Sequence, residues 1–401
     1  MHQDSTRDWA TDFDHAAQEY NANAPQVWAE LRGRCPVAHT EAYGGTWLPV
    51  RHEDIHQIAY DTEHFSSVGV VVANAKPEWE QAPLGAAPPI TSDPPVHQIA
   101  RRLLLPAFSP KAIEPWEPEI KALCNRLLDD IEQRVEHGEV FDAATQYAQH
   151  IPVHVIALMI GLPLEDADLF RVYVHDVLEA VDVAIEDRQQ RIEALADYLN
   201  GHVDDHIENP RDDLIGYLLS CALPDGSPLV REHVVGSIIL LLVAGIDTTW
   251  SAIGSSLSHL ATHPDDLARL VADPGVMQFA IEELLRAYAP VTMARIVAAD
   301  VEVGGVTMKR GDWTLLPFPA ANRDPEMFND PDTIIIDRAE NRHAAFGLGI
   351  HRCLGSNLAR LELRVAVTEF IARFPRFESA GDVRWSLGQV RGPRELPVRA
   401  L

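Results

Sequence analysis

One cysteine, Cys353, ends a glycine-rich loop that could hold a metal. The loop reads Phe346-Gly-Leu-Gly-Ile-His-Arg-Cys-Leu-Gly355, and its glycines allow tight turns and a close approach to a flat ligand. Apolar residues at helical spacing follow over 354–373, so Cys353 is predicted at or near a helix N-terminus. The positive end of a helix favours a thiolate. A thiolate can ligate iron, and thiolate-ligated haem iron promotes O–O bond cleavage. An isolated cysteine is more often a buried core residue, so the surrounding pattern carries this interpretation.

An acid and an alcohol, Asp247 and Thr248, interrupt the longest apolar segment of the chain. The segment 229–262 is predicted as one long helix, and its centre is apolar on all sides, as expected for a helix in the core. Burial of a carboxylate and a hydroxyl is unfavourable unless both are paired. Either the helix reaches solvent at this point or the polar pair is functional.

Two further pairs lie on predicted helix faces. His97 and Arg101 are four residues apart, and two cationic groups on one face favour an anion between them, although each could equally be a solvated surface residue. Glu283 and Arg286 are three residues apart, a spacing that by itself indicates an ordinary surface ion pair.

The spacing Phe-x-x-Gly-x-x-x-Cys-x-Gly resembles the haem-binding loop of the cytochrome P450 superfamily. Phe346, Gly349, Cys353 and Gly355 occupy its defining positions. Ala244-Gly-Ile-Asp-Thr248 resembles the long-helix motif of the same superfamily, and the resemblance spans about residues 90–398. It implies a mainly α fold with a minor β-sheet, in which haem lies between a long central helix and the helix after the cysteine loop.

The resemblance also implies roles for individual residues. Cys353 would be the metal ligand, and Asp247 and Thr248 would be catalytic residues that supply protons during the activation of O₂, the co-substrate. Glu283, Arg286 and Arg338 would form a structural network. The implied residues for binding haem b are His97, Arg101, Ala244, Arg295, Phe346, Gly347, His351, Cys353 and Gly355. The resemblance makes the loop 66–90 a pocket wall. Further candidate substrate-pocket residues are Leu241, Val243, Val291, Thr292 and Met293, with the turn near Gln389 and Val390, and each of these could equally be an ordinary core residue.

These roles predict a haem-dependent monooxygenase that hydroxylates or epoxidises a small apolar organic substrate. Its electrons would come from a ferredoxin or flavodoxin with an NAD(P)H reductase, or from a reductase domain outside this chain. Residues 1–401 are predicted to form a single haem-thiolate domain without a fused reductase, because no flavin, nicotinamide or iron–sulfur motif follows the cysteine loop. The alternatives are a peroxide-driven peroxygenase and a haem-thiolate sensor or binding protein. The Asp247–Thr248 pair argues against both.

These residues must be positioned by a largely helical chain. Helices are predicted at 25–33, 52–59, 95–106, 114–136, 142–160, 165–180, 187–207, 211–221, 229–262, 264–272, 275–288 and 354–373. Short strands are predicted at 45–50, 293–297, 301–303, 306–308, 313–317 and at 383–386 with 396–399.

The overall composition excludes some classes of partner. There are 33 Lys and Arg against 60 Asp and Glu, which gives a net charge of −27 and argues against nucleic acid. The longest apolar run is too short to span a membrane, and four scattered cysteines indicate a reducing cytoplasm. Basic residues nevertheless occur in the two segments expected beside the cysteine, where they predict a docking surface for an acidic electron carrier. They are Arg101, Arg102, Lys111, Arg352, Arg360 and Arg364.

Overall fold

The structure is a computed structural model that describes residues 7–72, 87–134, 138–178 and 185–401. Its α-helices are α1 (Gln18–Arg34), α2 (His52–Tyr60), α3 (Val96–Leu104), α4 (Pro110–Ile113), α5 (Glu117–Arg134), α6 (His150–Ile160), α7 (Ala167–Leu178), α8 (Ile185–Glu208), α9 (Leu214–Ser220), α10 (Arg231–Thr262), α11 (Pro264–Ala272), α12 (Met277–Ala287), α13 (Phe318–Ala321) and α14 (Ser356–Arg373). The predicted mainly α architecture is confirmed.

The strands form small sheets at the edges of the helical body. They are β1 (Val37–Thr40), β2 (Thr46–Pro49), β3 (Phe65–Ser66), β4 (Val140–Asp142), β5 (Thr292–Val297), β6 (Val301–Val303), β7 (Val306–Met308), β8 (Trp313–Pro317), β9 (Phe377–Ser379), β10 (Arg384–Trp385), β11 (Pro393–Glu395) and β12 (Pro397–Ala400). The largest sheet has the order β1-β2-β8-β5-β3, in which β2 and β8 are parallel and the other neighbours are antiparallel. β12 lies between β4 and β9, and β6–β7 and β10–β11 are two-stranded.

The helix α10 is the centre of the largest hydrophobic core, which it shares with α5, α6 and α14. Its apolar residues occur on every side, so the helix must be surrounded by other elements to remove them from water. Among the described residues, α10 is the one helix long and apolar enough to span a membrane. Most of its apolar window is buried inside the protein (61%), which is expected of a core helix.

Two smaller cores fix the position of the large sheet. The helix α1 packs on one face of this sheet through apolar residues such as Trp28 and Leu31, and Trp313 of β8 is buried between them. The helix α2 packs with the same sheet and the β6–β7 hairpin through Ile55 and Ile58. The sheet therefore presents β5, which carries Arg295, at a fixed distance from the helical body.

The predicted helix 142–160 is wrong at its N-terminal end. Val140–Asp142 is a strand, residues 144–148 form a π-helical turn, and the regular helix begins at His150. The Asp142 carboxylate accepts hydrogen bonds from the amides of Ala144 (2.9 Å) and Leu396 (2.9 Å). This side chain therefore caps the turn and attaches it to the chain just before β12, a partner that local periodicity does not reveal.

The pairing of the C-terminal strands also differs from the prediction. Arg384–Trp385 pairs with Pro393–Glu395, whereas Pro397–Ala400 pairs with β4 and β9. The sequence identified strand-forming segments here but not their partners, because the pairing of β12 with β4 depends on contacts across more than half of the chain.

Candidate active site

The loop that carries Cys353 is folded back by its glycines. Gly347 and Gly349 have φ angles of 72° and 67°, values that residues with a side chain seldom adopt. A Cβ on Gly349 would lie 2.2 Å from the Ala59 carbonyl oxygen of α2. The Cys353 amide donates a 2.7 Å hydrogen bond to the Phe346 carbonyl and closes the loop. The cysteine is thereby held at a defined position against α2.

The surroundings of Cys353 act on its charge in opposite directions. Burial is the largest influence and raises the pKa of the thiol, whereas the Gly355 amide and the guanidinium groups of Arg101 and Arg352 lower it. The expectation that a helix N-terminus favours the thiolate is therefore wrong in its net effect: α14 begins only at Ser356 and desolvation outweighs the positive groups. A thiol loses its proton when it coordinates a metal cation, so Cys353 is better suited to metal ligation than to free nucleophilic attack.

A cluster of cationic side chains lies near the cysteine loop. Arg295 is 5% exposed, and the ring centroids of His97 and His351 are 4.4 Å apart. Burial lowers the pKa of Arg295 to about 10. Burial, followed by the charges of Arg295, His97 and Arg101, lowers the pKa of His351 to about 2. Burial also lowers the pKa of His97, so both imidazoles stay neutral and the positive charge of the cluster is carried by Arg295 and Arg101.

The described residues supply this cluster with little negative charge. Asp93 is the carboxylate that acts on both Arg295 and His97, and it already accepts hydrogen bonds from the Ser66 hydroxyl (2.5 Å) and the Ser67 amide (2.8 Å). Among the described residues, the main chain of Ile350 is the group close enough to the His97 ring to raise its pKa by hydrogen bonding, and it only partly offsets the effect of burial. A ligand with its own carboxylates would balance these charges, so the residues present fit a haem whose propionates face the cluster.

The middle of α10 has an accessible face. Ala244 is exposed although it lies at the centre of a core helix, and Leu240, Val243 and Thr248 beside it are half-buried. The Thr248 hydroxyl donates a 2.8 Å hydrogen bond to the Ala244 carbonyl. The prediction that Leu241 lines a pocket is wrong. Leu241 is 7% exposed and belongs to the core. Successive residues of a helix are rotated by about 100°, so the neighbouring Leu240 faces the accessible side instead.

Asp247 is buried and paired, so α10 does not reach solvent at the polar pair. Arg394 of β11 donates a 2.5 Å hydrogen bond from Nη2 to Asp247 Oδ1 and a 3.1 Å bond from Nη1 to Ser251 Oγ. The Asp247 and Arg394 side chains are 2% and 5% exposed. The Arg394 guanidinium also lies 4.2 Å from the centroid of the Trp250 ring. Sequence reasoning missed Arg394 because it follows Asp247 by 147 residues.

Glu283 is the centre of a buried network in α12. Arg286 donates to its two carboxylate oxygens at 2.8 Å each, and Arg338 donates to Oε2 at 3.0 Å. The Ile335 amide and the Asn341 side chain also donate to this carboxylate, at 2.8 and 3.1 Å. Glu283 and Arg286 are completely buried. The reading of this pair as an ordinary surface ion pair is therefore wrong, and the three residues named from the sequence meet in one place.

The Gln389 side chain connects the start of β5, where predicted pocket residues lie, to the segment around residues 70–72. The Gln389 side chain donates to the carbonyls of Thr292 (2.8 Å) and Val70 (3.2 Å), and its Oε1 accepts from the Val72 amide (2.6 Å). Val291 bridges to Val390 next to it. Val291, Thr292, the 68–72 segment and the turn at 389–390 are thus brought together. Of the predicted pocket loop 66–90, residues 73–86 lie outside the described residues.

The side of the cysteine loop away from α10 forms a shallow depression of about 450 Å³. Its lining includes Arg101, Leu105, Phe108, Arg352 and Asn357. Cys353 also lines it and has solvent-accessible surface there, although many protein atoms lie around its side chain. The Arg101 Nη2 donates a 2.6 Å hydrogen bond to the Arg352 carbonyl at its edge.

The basic surface predicted beside this depression is smaller than expected. Arg360 pairs with both oxygens of Glu282 at 2.6 and 2.8 Å, and Arg364 pairs with both oxygens of Glu117 at 3.1 and 2.8 Å. The charges of these two arginines are therefore neutralised by glutamates of other helices, Glu282 of α12 and Glu117 of α5. Arg102, Lys111 and Arg352 remain exposed.

The sequence analysis gave no individual role to Asp93, Leu240 or Arg394, and it included Ser67 only as part of the loop 66–90. Ser67 forms a 2.9 Å hydrogen bond with His351 Nε2, Asp93 balances part of the cationic cluster, and Arg394 holds Asp247. Asp93 stands four residues before His97, which is the only local signal among these three.

Known proteins resemble this chain along nearly its whole length. The family model for cytochrome P450 matches residues 275–386. Nocardicin C N-oxygenase of Nocardia uniformis subsp. tsuyamanensis is 35% identical over 92% of this chain and 94% of its own length. The structure of the polyketide synthase cytochrome P450 PksS of Bacillus subtilis covers 97% of this chain and all of its own (100%), with a TM-score of 0.87 and 30% identity. CYP109E1 of Bacillus megaterium, solved with testosterone, covers 96% of this chain and 99% of its own, with a TM-score of 0.86 and 30% identity.

The chain belongs to the cytochrome P450 family. It is a haem-iron monooxygenase that uses O₂, as its relatives named oxygenase and hydroxylase/epoxidase indicate.

Proposed function

We propose that this enzyme hydroxylates or epoxidises a small apolar molecule at a haem b held by Cys353, using electrons from a ferredoxin or flavodoxin. The net reaction inserts one oxygen atom of O₂ into the substrate and reduces the other to water, and it consumes two electrons and two protons. The observation that carries the proposal is the accessible Ala244–Thr248 face in an otherwise buried helix, with an ion-paired carboxylate beside it. Haem with a cysteine thiolate ligand supplies the activation of O₂ when it is bound.

The chain would hold haem at both its iron and its edge. Cys353 is the proposed ligand, and the glycine turns at 347, 349 and 355 leave room for the flat macrocycle. His97, Arg101, Arg295 and His351 are the proposed partners of the propionates, because the charges of the two arginines have few matching carboxylates in the described residues and the two imidazoles can donate hydrogen bonds. Phe346 and Ala244 would contact the ring from opposite sides.

The protons of the reaction would be supplied through Asp247 and Thr248. The Thr248 hydroxyl lies on the accessible face and, while it donates to the Ala244 carbonyl, can accept a hydrogen bond there. Asp247, one residue earlier and buried, would transfer protons from solvent toward that face. The apolar residues around the pair limit the entry of bulk water.

The substrate would be bound mainly by apolar side chains. Leu240 and Val243 of α10, Val291 just before β5 and Met293 of β5 are aliphatic or thioether groups with some accessible surface. Thr292 is the polar member of the set. Its main-chain amide already donates to the Gln389 carbonyl at 2.8 Å, so its hydroxyl is the polar group that it can offer to a substrate. The site therefore favours a molecule with few hydrogen-bonding groups at its reacting end.

The electron carrier would dock at the depression beside Cys353. Arg102, Lys111 and Arg352 supply exposed positive charge there, on a chain whose net charge is −27. Such a local patch favours an acidic partner. We infer that this exchange takes place in the cytoplasm, where carriers of this kind are kept reduced.

The reaction is tested by spectroscopy followed by turnover. The haem-loaded protein is reduced and exposed to carbon monoxide, and thiolate ligation should shift the Soret band to the long wavelength that distinguishes it from histidine ligation. Compounds are then screened for a low-to-high-spin shift, and those that bind are tested with a surrogate ferredoxin and its reductase, or with hydrogen peroxide alone. Product formed only with peroxide would contradict the proposed use of electrons and O₂.

A further inference from the structure

Arg394 reaches Asp247 from a different part of the chain. It belongs to β11, in the C-terminal hairpin with β10, whereas Asp247 lies in the middle of α10. Its guanidinium makes three interactions at once: a 2.5 Å hydrogen bond to Asp247 Oδ1, a 3.1 Å bond to Ser251 Oγ and a contact with the Trp250 ring. All three partners lie within two turns of α10, so the group has little freedom to move along the helix.

The backbone that carries Arg394 is itself pressed against α10. A Cβ on Gly392 would lie 2.3 Å from the Ser251 Cβ, and one on Gly254 would lie 3.3 Å from Pro393. The Gly392 amide also donates a 2.9 Å hydrogen bond to the Ser386 hydroxyl within the hairpin. The strand therefore approaches the helix as closely as main-chain atoms allow, and it fixes the origin of the Arg394 side chain.

A planar guanidinium that is held in this way fixes the orientation of the carboxylate it binds. We propose that Arg394 is the positioning residue for Asp247 in the supply of protons to the reaction. The proposal rests on the proposed function, since it takes Asp247 to be the acid of the proton relay. Arg394 itself neither gains nor loses a proton, because a guanidinium stays protonated in proteins.

The proton balance of the reaction defines what the loss of Arg394 should change. Each productive turnover consumes two protons and two electrons and forms one water. The unproductive reaction reduces O₂ with two electrons and two protons to hydrogen peroxide. A misplaced Asp247 should slow proton supply, so that proton transfer limits the overall rate to a greater extent. The rate of O₂ consumption should then fall, and the ratio of the rates in H₂O and D₂O should rise.

The experiment compares haem-loaded Arg394→Met, Arg394→Lys, Asp247→Asn and the double variant Asp247→Asn/Arg394→Met. Oxygen consumption and hydrogen peroxide release are measured in H₂O and D₂O with NADPH, a surrogate ferredoxin, its reductase and styrene as the probe substrate. Arg384→Gln is the matched control, because Arg384 pairs with Glu395 in the same hairpin but both side chains are exposed.

We expect Asp247→Asn to slow O₂ consumption by about 100-fold and Arg394→Met by about 10-fold, within the range of general acid–base effects. Arg394→Lys should recover part of the lost rate because it restores the charge without the planar fork. The solvent isotope effect should increase in Arg394→Met. Arg394→Met should have no further effect in the Asp247→Asn background, and Arg384→Gln should behave like the wild type.

A second readout does not depend on turnover. Thermal unfolding of the haem-loaded wild type, Arg394→Met, Asp247→Asn and the double variant forms a double-mutant cycle. Either single variant leaves a buried charge without its partner, so we expect each to lower Tm, and we expect the double variant to recover part of the loss.

Three results would overturn the inference. If Arg394→Met with an intact haem spectrum retains the wild-type rate and isotope effect while Asp247→Asn is slow, the relay stands and only the role of Arg394 fails. Additive effects in the double variant would mean that Arg394 does not act through Asp247. An Asp247→Asn protein with wild-type rate would remove the acid from the relay and contradict the proposed function as well. If Arg394→Met does not fold, Arg394→Gln and Arg394→Lys are measured against the same outcomes.

Discussion

At the scale of single residues, the site consists of groups whose charges are balanced only in part by the chain. Burial raises the pKa of Cys353, and the buried Arg295 and the two histidines near it face few carboxylates. The neutral thiol is tolerated alone, but the buried Arg295 charge without enough anions is unfavourable. A ligand that brings a metal cation to the one and carboxylates to the other stabilises both, so we expect haem binding and folding to be coupled.

Replacement of the proposed ligand tests this coupling directly. Cys353→Ser should lose the long-wavelength carbon monoxide band and bind haem less tightly, because a serine hydroxyl does not replace a thiolate as an iron ligand. The measurement is the reduced carbonyl spectrum together with haem content after gel filtration. Cys221→Ser, at a half-buried cysteine, should leave both unchanged. A full carbonyl band in Cys353→Ser would assign the ligand to another residue.

Glu362 of α14 predicts a pH effect on stability. Its side chain is buried, its Oε2 has no hydrogen-bond partner among the residues that the structure describes, and burial raises the pKa of the carboxyl to about 8. The folded protein therefore keeps a proton that the unfolded chain releases near its ordinary pKa of about 4.3. Stability should fall as pH rises through this interval, by up to about 1.4 kcal/mol per pH unit.

Glu362→Gln should remove this dependence. The variant should gain Tm relative to the wild type at pH 8 and resemble it near pH 4, where the carboxyl is protonated in both states. Thermal unfolding from pH 4 to pH 9 is the measurement, with the exposed Glu340→Gln as control. Parallel Tm curves for the wild type and Glu362→Gln would contradict the prediction.

At the scale of elements, the site depends on contacts that hold separate segments together. The Glu283 network joins α12 to the irregular segment 331–341 that precedes the cysteine loop. The Gln389 side chain joins β5 to residues 70–72. Each is a buried polar group whose hydrogen bonds run to the main chain of other segments, so each fixes the path of the backbone as well as its own position.

Glu283→Gln should unfold the segment before the cysteine loop more readily and release haem. A neutral amide leaves Arg286 and Arg338 without their anion, and loss of one partner of a buried pair costs about 3–5 kcal/mol. The measurements are Tm and the rate of haem transfer to apomyoglobin. Arg269→Gln is the control, since the exposed pair of Arg269 and Asp337 connects α11 to the same segment. Equal haem loss in the two variants would show that the buried network has no special role.

The elements also show how far sequence reasoning reaches. The long helix, the glycine turns and the Glu283–Arg286 spacing are local patterns, and their positions were predicted within a few residues. Asp142 was missed because its side chain stabilises a strand-to-helix turn through an amide at residue 396. Arg394 was missed for the same physical reason: nothing near it in the sequence differs from an exposed strand residue. Leu241 was assigned to the pocket although it lies in the core, because only some of the apolar residues of α10 are accessible and the sequence does not show which.

At the scale of the whole molecule, a small basic surface lies on a strongly acidic protein. The net charge of −27 repels acidic partners at long range. The exposed Arg102, Lys111 and Arg352 attract them only near the depression beside Cys353. Arg360 and Arg364, which are paired with glutamates, should contribute little to this attraction.

Charge reversal should separate these two groups of arginines. Arg102→Glu and Arg352→Glu should slow reduction by a surrogate ferredoxin and flatten its dependence on ionic strength, because they remove the attraction that salt screens. Stopped-flow reduction between low and high salt is the measurement. Arg384→Glu, exposed in the distant hairpin, should change neither the rate nor its slope. Unchanged reduction in Arg102→Glu and Arg352→Glu would place docking elsewhere.

The distance along the chain between Asp247 and Arg394 has a consequence for biosynthesis. Translation at about 5–20 residues per second separates the two residues by roughly 7–30 s. During that interval α10, the most apolar long helix described, exists on the ribosome without the residue that neutralises its buried acid. The contact between Asp247 and Arg394 can therefore form only after residues 393–400 emerge and β12 joins β4 and β9, so the packing around the middle of α10 is completed late in synthesis.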